Sequence, residues 1–177
     1  MRAPRRCWKR RGLPDGATLD VSKATPATRA LEVAGEAFTV HSYDYDPDVD
    51  RIGLHAAEAL AENPARVLKS LMVLVDGKPA CAIVPSDEEI AMKKLAAALG
   101  GKSAQMMPPA DAERMTGYKV GGISPFGQRR KVPVAIERAA LAHEQVYING
   151  GQRGLQVRLS PVAAQRVLGA VAAEIVA

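Results

Sequence analysis

The chain has 177 residues, a formal net charge of +5, 47% apolar residues, 4% aromatics and only two cysteines. That is enough for one domain with a real core, and no apolar run approaches the roughly 18 residues a membrane helix needs. Cys7 and Cys81 form neither a metal-site spacing nor a disulfide framework, which excludes a stapled secreted scaffold and fits a reducing cytoplasm.

The charge is unevenly placed. Seven of the 24 Lys and Arg and two of the 19 Asp and Glu fall in residues 1–24, leaving 17 of each sign in the rest. A body of zero net charge is no general polyanion binder, although local patches can be. Residues 1–24 have no hydrophobic period and read as a disordered basic leader. Residues 25–177 read as the folded domain.

Thr25-Pro26 predicts a helix start, with Thr as cap and Pro in the first turn, running to about Ala34 with Gly35 as its stop. Phe38 to Tyr45 alternates like a strand. The aspartates between Asp44 and Asp50 surround Pro47 and read as a solvated loop. His55–Glu62 predicts a short helix ended by Asn63-Pro64. Two apolar runs, Leu71–Val75 and Ala80–Val84, flank Asp76-Gly77, a strong hairpin signal. Ser86-Asp87 predicts the cap of a helix over Glu88–Leu99. Met106-Met107 reads as a short strand and Pro109–Met115 as a helix. Val132–Ile136 reads as a strand, Glu137–Leu141 as a helical turn, and Gln145–Ile148 and Leu155–Leu159 as strands about an Asn149-Gly150-Gly151 turn. Ser160-Pro161 predicts a last helix to about Ala173. Interleaved helices and strands with hairpins, lacking regular βαβ spacing, give an α+β fold around a mixed sheet or partial barrel with flanking helices.

Two glycine-rich stretches stand out. The first, Gly117 to Lys131 (GYKVGGISPFGQRRK), joins tandem Gly121-Gly122, a turn at Ser124-Pro125, and the cations Arg129, Arg130 and Lys131. It reads either as a cradle for an anionic or carbonyl-bearing ligand or as a solvated loop. The second, Asn149 to Leu159 (NGGQRGLQVRL), holds Gly151 and Arg153, and the two suggest the lips of one pocket. They fit neither the phosphate-loop nor the dinucleotide fingerprint. Lys69, ahead of an apolar strand, either snorkels to solvent or binds a phosphate or ester. His41, His55 and His143 lie in no nucleophile motif, and Cys81 reads as a small core residue.

TPATRAL, HSYDYDP, the VLKSLMV run, GYKVGGISPFGQRRK and INGGQRGLQVRLSP together resemble the YbaK/EbsC family of free-standing aminoacyl-tRNA deacylases. That family is similar to the editing domain of bacterial-type prolyl-tRNA synthetases, and the resemblance covers about residues 25–176. It implies an editing fold, no cofactor or metal, and removal of a wrong amino acid from tRNA-Pro. The branch it most resembles clears cysteine, with the substrate's own thiol attacking the ester. The family's functional lysine maps onto Lys69, and the backbone amides of Gly121 and Gly122 are the expected donors to the developing oxyanion. The family's pocket maps onto Tyr43, Gly121, Asn149 and Gln156, with Gly122 adjoining and Ile52, Ser124, Gly151 and Arg153 as further substrate contacts. Many relatives carry serine at the position of Asn149 and an acid at that of Gln156. Arg129, Arg130 and Lys131 are the expected acceptor-stem contacts. An alanyl-tRNA-Pro deacylase and a non-catalytic tRNA-binding module are the alternatives, and prolyl-tRNA synthetase is a candidate presenting partner.

Overall fold

The computed structural model describes residues 24–177, so the disordered-leader reading, except for Ala24, lies outside the described residues. Helix α1 spans Pro26–Val33, and its start is chemically overdetermined. The Thr25 side chain accepts from Thr28 N while the Thr28 hydroxyl accepts from Thr25 N, a reciprocal capping box, with proline in the first turn. Ala27 and Leu31 are fully buried. Strand β1 is Thr39–Ser42, shorter than the predicted run, because the chain leaves the sheet at Tyr43, whose amide donates to Gly154 O at 2.9 Å. Helix α2 spans Ile52–Ala59.

Strand β2 is Val67–Val75 and strand β3 is Lys78–Pro85, paired antiparallel from Leu68↔Pro85 to Val75↔Lys78. Asp76 (φ 48°) and Gly77 (φ 77°) both adopt left-handed backbone, the two-residue turn whose twist matches that of the strands. Helix α3 is Met92–Ala98, strand β4 Ala104–Met106 and helix α4 Pro109–Thr116. Strands β5 (Val134–Glu137), β6 (Val146–Asn149) and β7 (Leu155–Leu159), helix α5 (Pro161–Leu168) and strand β8 (Val171–Ala173) complete the order.

Two predicted helices are shorter than expected. Residues 88–91 stay out of α3 because the C-terminal segment claims them: Ile90 bridges Val176, and Ala91 N donates to Ile175 O at 2.8 Å. Ser86 caps nothing. Its amide and hydroxyl both donate to Val67 O at the end of the hairpin. Helix α5 ends at Leu168 because Gly169 turns left-handed (φ 60°), and Val171–Ala173 then pairs in parallel with β5. Buried Glu137 secures that tail, accepting from Ile175 N at 2.8 Å and Val176 N at 3.2 Å.

The mixed sheet runs β1-β7-β6-β2-β3-β5-β8, with β4 also on β2. Helices cover both faces, and the largest core cluster joins α1, α4 and α5 to the face of Leu68, Met72, Ile148 and Val157. No helix among the described residues is long and apolar enough to cross a membrane. One irregularity positions everything that follows. β6 and β4 share the same edge of β2, yet β6 pairs only at Val67 and Leu68, and β4 only from Val73 onward. Between them the edge of β2 is open.

Candidate active site

A cavity of about 390 Å³ lies at that opening. Tyr43, Ile52, Lys69, Gly121, Asn149 and Gln156 all line it. Alternation along the strands explains the convergence: cross-strand pairing sets Asn149 opposite Gln156, on the same side of the sheet as Lys69 and the packed α2. Tyr43 follows β1 directly, so a neighbouring strand delivers it to the same side.

Lys69 Nζ makes one hydrogen bond, a long 3.4 Å donation to Ser86 O, and no ion pair among the described residues. A lysine is thus held in a cavity with spare donors. Two polar atoms of the same lining residues, Tyr43 Oη and Gln156 Oε1, are buried and have no hydrogen-bond partner among the described residues. Burial pushes the Tyr43 phenol above its ordinary range, against a smaller opposite pull from Gln156, although the two reach no hydrogen-bonding geometry with each other. Tyr43 is therefore a neutral donor.

The two glycine loops do form facing lips. Asn149 joins them, donating from Nδ2 to Gly121 O (3.3 Å) and Gln152 O (3.4 Å) and accepting from Gly151 N (2.7 Å). Both loops rest on the start of α1: Thr25 Oγ1 donates to Gly150 O, Ala27 lies under Gly151, and Gly127 lies against the Pro26 backbone. Arg153 closes the outer side, donating to Val120 O at 2.9 Å and stacking over the Tyr45 ring at 5.4 Å.

The remaining predicted residues stand behind the cavity rather than in it. Gly122 packs against the Gln152–Arg153 backbone, and its amide donates to Lys119 O at 2.8 Å, so it is not an open oxyanion donor. Gly121 alone of the pair lines the cavity. Ser124 is fully buried in its own turn, accepting from Phe126 N. Gly151 faces Tyr118 and Ala27. Arg129, Arg130 and Lys131 are exposed and outside the lining, with the Arg129 side chain against Gly117. Cys81 is fully buried, and desolvation pushes its thiol to about 12, which makes it unreactive. Missed by sequence reasoning was the other flank of the cavity, Leu68, Ser70, Met72, Met107, Ala112 and Ile123. Its one sequence signal is Ser70, a polar residue between Leu68 and Met72 in an otherwise apolar stripe of β2.

Residues 46–167 match the family model described as the aminoacyl-tRNA editing domain. The chain belongs to that family. EbsC of Enterococcus faecalis, named as a Cys-tRNA(Pro)/Cys-tRNA(Cys) deacylase, is 37% identical over 109 residues, covering 60% of this chain and 66% of EbsC. A proline–tRNA ligase of Nitratidesulfovibrio vulgaris (strain Hildenborough) is 34% identical over 100 residues, 54% of this chain and 17% of the ligase. The chain thus spans just under two thirds of the first relative and a small part of the second. A solved structure described as a trans-editing enzyme for prolyl-tRNA synthetase superposes with a TM-score of 0.77 at 22% identity, covering 90% of this chain and 99% of that chain. The likeness confirms the α+β editing fold.

Proposed function

We propose that this editing domain is a deacylase acting in trans on mischarged tRNA-Pro, with cysteine as the amino acid removed. The observation that carries the reading is Lys69, a cation with one long hydrogen bond, in a cavity whose neighbouring polar atoms lack partners. The enterococcal relative's name and the ligase match support the substrate class.

In this reading the aminoacyl ester enters between the glycine lips. The cysteinyl sulfur attacks its own ester carbonyl carbon and the bond to the ribose oxygen breaks. The thiol proton passes to that oxygen, leaving a cyclic thioester and intact tRNA. Lys69 stabilises negative charge developing on the carbonyl oxygen or holds the terminal phosphate, and the neutral Tyr43 phenol donates beside it. No nucleophile from the protein is required, consistent with an inert Cys81. Because the body beyond residue 24 carries equal numbers of both charges, prolyl-tRNA synthetase is the proposed presenting partner.

The test is release of amino acid from tRNA-Pro charged separately with cysteine, alanine and serine. Cysteine should be released fastest. Preferential release of alanine would replace the substrate assignment, and tRNA binding with no release of any would leave a binding module.

A further inference from the structure

The cavity reaches both faces of β2, with Lys69 on one and Leu68, Ser70 and Met72 on the other. On the second face Met107, Ala112 and Ile123 complete an apolar lining. Ser70 is the exception there, and its Oγ is buried without a hydrogen-bond partner among the described residues. A hydroxyl so placed has given up water and received nothing in return, a state native folds seldom leave unanswered.

The open edge of β2 gives access to it. Met72 turns its carbonyl away from β3, accepting from Met107 N at 3.1 Å, and Ser70, two residues earlier, directs its amide and carbonyl the same way. Pairing with β6 has already stopped at Leu68 and pairing with β4 starts only at Val73, so among the described residues no strand pairs with Ser70 on that side. The lining of the cavity thus continues past this open edge from Lys69 to Ser70, a passage between the two sides of the sheet.

We propose that this passage holds the substrate's amino-acid side chain, with Ser70 Oγ accepting from its thiol or hydroxyl. Ser70 is then a specificity-determining residue that favours cysteine or serine over alanine. The assignment deepens the deacylase reading and rests on it. A polar group built to pair with a substrate hydroxyl or thiol rejects the analogue lacking it, because it is then left buried and alone.

The test compares wild type with Ser70→Ala on tRNA-Pro charged with cysteine, serine and alanine, with thermal unfolding as a check on folding. The expected result is roughly a tenfold loss in kcat/KM for cysteine and serine with alanine unchanged or improved. Equal loss on all three substrates, or no change on any, overturns the role of Ser70 while the deacylase reading stands. Should wild type cleave none of them, the deacylase reading falls by itself. Calorimetric binding of amide-linked seryl- and alanyl-adenosine to the same two proteins then decides: a seryl preference lost in Ser70→Ala supports the assignment, and no preference in wild type overturns it.

Discussion

Asn149 Nδ2 donates to Gly121 O at 3.3 Å, bridging two glycine loops 28 residues apart in the chain. The same side chain accepts from Gly151 N and donates to Gln152 O, so one buried amide fixes both lips. Asn149→Ala would leave these partners unmet inside the fold, costing about 1–3 kcal/mol of stability. Activity should fall further than stability, because the lips lose their mutual spacing. Denaturant unfolding alongside kcat/KM separates the two effects. Asn149→Ser, which keeps a short donor and acceptor, should recover part of the activity.

Lys69 makes the sharpest prediction. Among the described residues its ammonium donates only to the Ser86 carbonyl, so the fold gains little from the charge. Lys69→Ala should reduce deacylation by about a hundredfold or more. The unfolding midpoint should move little. Wild-type turnover in this variant would remove the proposed catalytic cation.

Much of this arrangement was legible in the sequence because its signals are local. Asp76-Gly77 set the hairpin and Thr25-Pro26 set α1 through chemistry contained within a few residues. What failed was decided by distant chain: the tail at Ile175 and Val176 converts residues 88–91 from helix to extended backbone, and β5 draws Val171–Ala173 into the sheet. The site divides in the same way. Lys69, Tyr43 and the glycine loops were visible through motif resemblance. The opening in β2 was not, because it exists only where two other strands stop, and local periodicity carries no record of that.

Glycines of similar backbone give an internal control. Gly121 (φ 88°) would place a Cβ 2.6 Å from Tyr45 Oη, whereas Gly35 (φ 72°) has nothing within 4 Å. Alanine at either position costs about 1 kcal/mol of left-handed strain. Only Gly121→Ala must also displace Tyr45, which stacks with Arg153 at the outer lip. Gly35→Ala should therefore keep full activity with slightly lowered stability. Gly121→Ala should lose most of its activity, and equal activity in the two variants would show that the lip tolerates movement.

Arg129, Arg130 and Lys131 lie outside the cavity and are exposed, a placement suited to phosphates of an acceptor stem rather than to the aminoacyl end. Cations in that role position RNA through charge and release counterions, so they carry most of the salt dependence of binding. The double reversal Arg129→Glu, Arg130→Glu should weaken tRNA-Pro binding and flatten the slope of log affinity against log salt by roughly one for each phosphate no longer neutralised. Cleavage of a short aminoacyl-adenosine, which has no stem to hold, should be unaffected. Titrating wild type and the double variant with tRNA-Pro at several salt concentrations, beside turnover of the short substrate, checks both statements. Unchanged affinity and slope would show that the stem lies elsewhere, and equal loss on the short substrate would show that the reversal had disturbed the Gly117–Gly121 loop against which Arg129 packs.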